Sequence, residues 1–383
     1  MLLENNPYPQ DVRVQAEAIS LARAGYVISV VAPRGAGQPR RERLQGVEVV
    51  RFRALDGSSR GRLGFVLEFA SAALVLYLAA VRALLSGATV LHLHNPPDLF
   101  AGAGLIFRLA GRKVVFDHHD LFPETIEAKF GPGLAVRTAA LCERLTYAVS
   151  HHVIATNESY AERARTRGRK RPQDVTVVRN APPREWMQRG VPVRTGVLTR
   201  VTLAYLGSVS GQDGVEGLVP VLARLRRHHG LDVRLTIVGD GDARPAVQAE
   251  LARHGVADRV RFTGWVDLDR VPDLLAEADI CVDPAPATYV NEHSSMMKVA
   301  EYLALGKPVV AYELLETRRT TGQAARLVTP GDSDAFADAV AELAADPGAR
   351  ERLAAAAVAR ADALTWEHSE RALLSAYENL RPG

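Results

Sequence analysis

The sequence predicts an α/β protein built from two doubly wound domains, and three observations lead there. Short β-rich runs ending in polar residues alternate with helical stretches, the pattern of parallel sheets covered on both faces. The alternation is interrupted once, at the proline-rich and polar stretch NAPPREWMQRGVPVRTG, and then starts again. A length of 383 residues exceeds what one ordinary core accommodates and fits two domains.

The first half opens with Met-Leu-Leu, a short first strand, followed by the polar loop ENNPYPQD. A helix carrying Val14, Ala18 and Leu21 at helical spacing then runs to about Gly25. YVISVVAP, VEVVRF, TVLHLH, KVVFDHH and HHVIATN read as strands. The second half repeats the plan with VTLAYLG, VRLTIVGDG, RVRFTGW, ADICVDPAP, PVVAYEL and AARLVTP. A closing amphipathic helix has Trp366, Leu373, Leu374, Tyr377 and Leu380 on its apolar side. The expected domains are residues 1–185 and 186–364, with residues 365–383 packing back on the first.

Composition narrows the function. With 47% hydrophobic and 24% charged residues the chain is an ordinary globular protein, and a net charge of +3 is too small to imply a nucleic-acid partner. Cys142 and Cys281 stand far apart without metal-ligand spacing, so reduced buried thiols are expected. The N-terminus lacks the charged and apolar regions of a signal peptide, which makes the cytoplasm the expected compartment. Leu63 to Leu85 is long enough to span a bilayer, yet Glu68 and Arg82 fall inside it, and a buried or surface-lying helix is expected instead. Arg60 and Arg62 just before it, and the basic run from Arg163 to Pro172, suit contact with anionic lipid, although the latter also reads as a solvated helix end.

In open parallel sheets ligands sit beyond the carboxyl ends of the strands, and the chemistry is sought there. In NEHSSMMKVAEYLALGKPVV, Ser294 or Ser295 is the candidate N-cap of a helix whose first amides, at Ser294–Met296, suit a diphosphate. Lys298 and Glu301 share one face of that helix; they read either as an exposed pair or as a phosphate contact and a ribose contact. The turn Gly239–Asp240–Gly241 is not the dinucleotide fingerprint, which removes the main support for a nicotinamide cofactor. Asp117, His118, His119 and Asp120 follow one another on an extended chain and alternate sides, so no metal is expected from them. His94, Asn95 and Asp98 in HNPPDLF either line a ligand site or form a turn.

AEYLALGKPVVA behind this helix start resembles the signature of the retaining GT-B glycosyltransferases of family 4, and the resemblance runs over almost the whole chain. It implies the GT-B fold: two facing Rossmann-like doubly wound domains with a C-terminal crossover helix. It further implies transfer of a sugar from a nucleoside-diphosphate sugar to an acceptor hydroxyl with retention, without a divalent metal and without any cofactor beyond the donor. Glu301 matches the carboxylate that contacts the donor ribose, while His293 stands where the family carries a second Glu, with Glu292 one position away. His119 and Asp120 match the strand-end pair that faces the donor sugar, and are the expected catalytic residues. Gly207, Gly239 and Gly241 match the glycine-rich donor-side turns.

Ser208 and Asp213 occupy positions where many relatives hold phosphate with Arg and Lys. Lys298, the helix amides and Arg244 are then expected to meet the phosphates. Asp11 and Arg13, with His94 and Asn95, are expected on the acceptor side. ENNPYPQDVR, HNPPDLF and FDHHDLFPE resemble members acting in cell-surface polysaccharide or glycolipid assembly. That implies a lipid-linked sugar as acceptor and a peripheral position at the inner face of the plasma membrane. A GT-B nucleotide-sugar epimerase and a catalytically impaired GT-B binding protein are the alternatives.

Overall fold

The computed structural model describes residues 1–54, 61–189 and 191–380; in the helix Gly61–Leu85, the side chains at 61–63, 65, 66, 68 and 69 are not described. The expectations placed on Arg60, Arg62 and Glu68 therefore lie outside the described residues. The chain divides into two compact units, Met1–Asn180 together with the C-terminal stretch that begins at Ser369, and Ala181–His368.

In the first unit β1 (Ser29–Pro33) pairs in parallel with β3 (Val47–Phe52), and β2 (Arg41–Leu44) adds to β3 antiparallel. β4 (Val90–His94), β5 (Lys113–His118), β6 (His152–Ala155) and β7 (Val175–Val177) form a parallel sheet in that order. Leu2 bridges β1 at Val31 and β4 at Leu93, joining the two sheets. The expected first strand is thus reduced to one bridging residue, whereas β2 and β7 are absent from the sequence reading. RERL carries three charged residues in four, and its strand state comes from pairing with β3.

Asp11 caps the helix Val12–Arg23 by accepting from the amides of Arg13 and Val14, and Val14, Ala18 and Leu21 are buried beneath it. The helix Gly61–Leu85 buries Ala72, Leu76 and Ala80, one residue per turn. Its opposite face leaves Leu67, Leu74, Leu78, Val81 and Leu85 exposed. No helix among the described residues is long and apolar enough to cross a membrane.

The basic run is only in part the solvated helix end expected: Arg169 and Arg171 are exposed, whereas Arg163 and Arg167 are drawn inward. Arg163 and Arg167 pair with Glu124 and with Glu143, whose carboxylate is fully buried. Arg171 pairs with Asp174, and the Lys170 ammonium donates to the Ser150 carbonyl. Packing against the helices carrying Glu124 and Glu143 recruits the charges inward, which the local pattern could not reveal.

The second unit holds one parallel sheet in the order β10 (Val260–Phe262), β9 (Asp232–Val238), β8 (Arg200–Leu206), β11 (Ile280–Asp283), β12 (Val309–Tyr312), β13 (Arg326–Val328). Its strands are apolar on both faces because helices cover both. The stretch read as a linker belongs to this unit: Trp186 is buried, and the buried Arg350 guanidinium donates to the Arg194 and Gly196 carbonyls. The final helix Trp366–Glu378 returns to the first unit, where Tyr377 packs edge-on against Tyr26 and Ser369 donates to the Arg179 carbonyl. Cys281 is buried, which pushes its thiol up to about 12, while Cys142 is half-buried rather than buried.

Candidate active site

In the second unit the chemistry gathers at the carboxyl ends of β8, β9 and β11 and on the helix Met297–Ala304. Neither serine caps that helix. Met296 holds the N-cap position without a side-chain bond, Ser294 ends the short helix Tyr289–His293, and Ser295 Oγ donates to Glu316 over 3.3 Å. The reason is that the chain turns twice between Thr288 and Met297, and the true cap of the first turn is Thr288. The N-cap residue Met296 makes no side-chain bond to the first amides of the Met297 helix, whose positive dipole end suits an anion.

Lys298 leaves the first turn and lies 7% exposed against Gly207. Its ammonium donates to Asp213 Oδ1 over 2.7 Å and to Tyr205 Oη over 3.0 Å, and stands 3.8 Å from Asp283. Burial lowers its pKa, but Asp283, Tyr205 and Asp213 together raise it well above the ordinary lysine value. Asp213 is held in turn by Ser210 Oγ at 2.6 Å. The departure at Asp213 has a structural consequence: the cation expected on phosphate is already paired.

Glu301 sits one turn further along, 5% exposed, and its carboxylate makes no hydrogen bond among the described residues. Burial pushes it up to about 7, with a smaller downward pull from Lys298. His293 and Glu292 do not join it. His293 stacks on Tyr289 at 4.3 Å and bonds its carbonyl, while Glu292 accepts from the Leu315 amide over 2.7 Å, at the start of the helix Leu315–Thr321.

The glycines are explained by loop contact. A Cβ on Gly239, whose φ is +137°, would lie 2.0 Å from the Gly207 carbonyl oxygen, and one on Gly241 would lie 2.3 Å from that of Val209. Gly207 itself has φ +136° and a Cβ there would press on Lys298. The loops after β8 and β9 can close together only without these side chains. Arg244, expected as a phosphate contact, pairs with Asp240 at 2.9 Å and covers Phe262. Gly239→Ala is expected to cost about 3 kcal/mol, from left-handed strain plus backbone overlap, lowering the unfolding temperature by roughly 6–12 °C. Gly211→Ala, where a Cβ meets nothing within 4 Å, is the matched control and is expected to be neutral; thermal unfolding of both variants compares them.

In the first unit, period-two alternation turns Asp117 and His119 to one side of β5 and its end and His118 to the other. His118 bonds Tyr147 Oη over 2.9 Å and stacks on Tyr160, and burial pushes it down to about 3. Asp117 is fully buried, with Oδ2 at 3.0 Å from His119 Nε2, 3.1 Å from His94 Nδ1 and 3.2 Å from His92 Nε2. Burial pushes its carboxyl up, yet the imidazoles of His119, His92 and His94 outweigh that and hold it well below the carboxylate range. Glu17 approaches His92 at 3.9 Å, and burial followed by repulsion from Asp117 pushes it well above the usual value. Burial pushes His94 down to about 3, with His92 adding to it.

Asn95 has a structural role. Its Oδ1 accepts from the His119 and Asp120 amides, and its Nδ2 donates to Asp98 and to the Asp120 carbonyl. It braces the loop carrying His119 and Asp120. Asp120 is half-buried at the loop, and His119 Nδ1 is buried without a hydrogen-bond partner. Asp11 and Arg13 hold each other, with Arg13 Nη2 2.8 Å from Asp11 Oδ2, so the helix cap and the expected acceptor contact are one ion pair. His92 and Glu17 were not singled out from sequence, and Asp117 was weighed only with its chain neighbours, as a set that suggested no metal. The signal that could have found them is a His-x-His and an Asp-x-His ending two strands that pair directly, with His94 opposite Asp117.

The comparisons agree with this architecture. Residues 200–346 match the model described as "Glycosyl transferases group 1", and residues 10–181 match "Glycosyl transferase 4-like domain". A D-inositol 3-phosphate glycosyltransferase of Kribbella flavida is 33% identical over 200 residues, which is 50% of this chain and 45% of that protein. The chain spans less than half the length of these curated relatives. Among solved structures, the sucrose-phosphate synthase of Thermosynechococcus elongatus superimposes with a TM-score of 0.73 at 19% identity, covering 97% of this chain and 93% of that one. Anabaena Alr3699/HepE in complex with UDP superimposes with a TM-score of 0.71 at 17% identity, covering 99% and 98%. Two adjoining family models over most of the sequence, on two doubly wound units of this topology, mean that the chain belongs to the group 1 glycosyltransferases, the family 4 type with the GT-B fold.

Proposed function

We propose that this chain is a retaining glycosyltransferase that moves a sugar from a nucleoside-diphosphate sugar to an acceptor hydroxyl. The observation that carries the reading is Glu301, a buried carboxylate without a hydrogen-bond partner among the described residues, one turn beyond Lys298 on a helix whose N-cap residue Met296 makes no side-chain bond. A ribose offers two hydroxyls to such a carboxylate, and a diphosphate offers anionic oxygens to the helix amides and to Lys298. UDP bound to Alr3699/HepE makes the uridine diphosphate sugars the first donors to try.

In the proposed reaction the bond between the anomeric carbon and the phosphate oxygen breaks and one from that carbon to the acceptor oxygen forms on the same face. The acceptor's proton passes to the leaving phosphate oxygen, so no side-chain base is required. The helix dipole and Lys298 meet the charge on the leaving diphosphate. His119, turned by Asp117 and with Nδ1 unpartnered, holds a sugar hydroxyl beside Asp120. No divalent metal takes part at the phosphates and no cofactor beyond the donor is needed, so adding Mg²⁺ is expected to leave turnover unchanged.

Turnover of UDP-sugars with lipid-linked or soluble acceptors tests the reading. Product of retained configuration supports it. Tight donor binding without transfer or hydrolysis would replace it with the binding-protein alternative, which the pairing of Lys298 with Asp213 favours.

The finer placement, in cell-surface polysaccharide or glycolipid assembly at a membrane surface, rests on the exposed apolar face of Leu74, Leu78, Val81 and Leu85 beside exposed Arg82. Leu74→Glu with Leu78→Glu is expected to weaken binding to anionic phosphatidylglycerol vesicles at least about tenfold. Equal binding of both proteins in a sedimentation assay removes the membrane from the proposal.

A further inference from the structure

The geometry points to a buried divalent-cation site in the first unit, formed by Glu17, His92, His94 and Asp117, with Zn²⁺ the ion its donors suit. It stands on the packing of this unit alone and does not depend on the transferase reading.

One donor atom from each of these four residues lies within 4.8 Å of every other, and all four residues are buried. They come from three elements: Glu17 from the helix Val12–Arg23, His92 and His94 from β4, and Asp117 from β5. Tetrahedral zinc, with ligand bonds of about 2.0–2.2 Å, sets its donor atoms roughly 3.3–3.6 Å apart. Here Asp117 Oδ2 lies 3.1 Å from His94 Nδ1 and 3.2 Å from His92 Nε2, and His92 Nε2 lies 3.9 Å from Glu17 Oε2.

The three imidazole contacts of the Asp117 carboxylate, at 3.0–3.2 Å, fall within hydrogen-bond distance but not within good hydrogen-bond geometry. Both oxygens of Asp117, Glu17 Oε2 and His92 Nε2 are buried and lack a hydrogen-bond partner of proper geometry. Such atoms normally find a partner, and here they aim at one another. Two carboxylates and two neutral imidazoles around a 2+ ion sum to zero charge, the balance a dry site requires.

The surrounding contacts are those that orient metal ligands. His92 presents its other ring nitrogen, Nδ1, to Tyr377 Oη at 2.7 Å, and His119 Nε2 rests 3.0 Å from the Asp117 carboxylate. A cation here ties the first helix to the ends of β4 and β5. Through Tyr377 it also reaches the returning C-terminal helix.

The test is metal content of the full chain expressed with zinc in the medium and purified without chelator. About one zinc per chain by elemental analysis is expected, removed by prolonged dialysis against dipicolinate with a fall in unfolding temperature of roughly 5–10 °C that added Zn²⁺ reverses. Co²⁺ added to the dialysed wild-type chain is expected to give visible absorption bands of a four-coordinate ion. His94→Gln is expected to lower zinc content at least about tenfold; the cobalt spectrum needs no variant and stands if that protein fails to fold. A wild-type chain that carries under about a tenth of an equivalent of metal, retains no added Zn²⁺ through gel filtration and shows no cobalt bands overturns the site. The cluster is then a metal-free polar network.

Discussion

Lys298→Met is expected to lose both turnover and stability. Its ammonium is buried between Asp213, Asp283 and the Tyr205 hydroxyl, so a methionine of similar length leaves two carboxylates without a counter-charge. Removing one partner of a buried ion pair typically costs about 3–5 kcal/mol, and the second carboxylate adds to that side. On the chemical side, loss of a charge that meets the departing diphosphate lowers turnover by about 10²–10³. The two effects separate in the double variant Lys298→Met with Asp213→Asn, which relieves the uncompensated charge and recovers part of the stability without recovering turnover. Denaturant unfolding and donor turnover on both proteins measure this. Wild-type turnover in Lys298→Met would remove Lys298 from the phosphate site.

Glu301 carries the second large effect, and it has a pH signature. Its folded carboxyl titrates at about 7, pushed up by burial, against an ordinary value of 4.5. If, as proposed, the ionised form accepts from both ribose hydroxyls, donor affinity is expected to rise about tenfold from pH 6 to pH 8, following the ionised fraction. Glu301→Gln is expected to bind the donor about 10–100-fold more weakly at pH 8, the worth of charged hydrogen bonds to the ligand, with a flat pH profile. Stability moves the other way. A carboxyl whose folded pKa lies above its unfolded one favours the fold at low pH, and that contribution is lost as pH rises from about 4.5 through 7. Glu301→Gln is therefore expected to be more stable than wild type at pH 8, by at most about 3 kcal/mol, and the gain vanishes towards pH 4. Calorimetric titration of UDP across this range, beside thermal unfolding, checks both signs. A flat wild-type affinity profile would show that Glu301 does not hold the donor.

Much of the fold was legible in the chain. Strands covered on both faces need continuous apolar runs, and VTLAYLG, VRLTIVGDG and ADICVDPAP supply them; the parallel order follows because helices separate them. RERL was not legible, since its strand state is borrowed from β3. The helix Met297–Ala304 with Lys298 and Glu301 on it could be read from spacing, because residues three apart on a helix share a face whatever surrounds them.

Partners could not be read this way. Ser295 looked like a cap and instead donates to Glu316, 21 residues on; Asn95 read equally as a ligand contact or a turn residue, and the structure shows its amide bracing the backbone of His119 and Asp120. Asp213 looked like a missing phosphate ligand, and the structure makes it the counter-ion of Lys298. The histidines teach the same lesson. Read along the chain, Asp117, His118 and His119 alternate sides and suggest no shared site. Read across β4 and β5, His92, His94, Asp117 and His119 fall on one face, and the first helix brings Glu17 to them. By itself the sequence determined the two doubly wound units and the Met297 helix with its cation and carboxylate, because propensity and period act between near neighbours. Which charges meet, which caps form and which imidazoles converge was decided only by tertiary structure, because those contacts depend on residues tens to hundreds of positions apart.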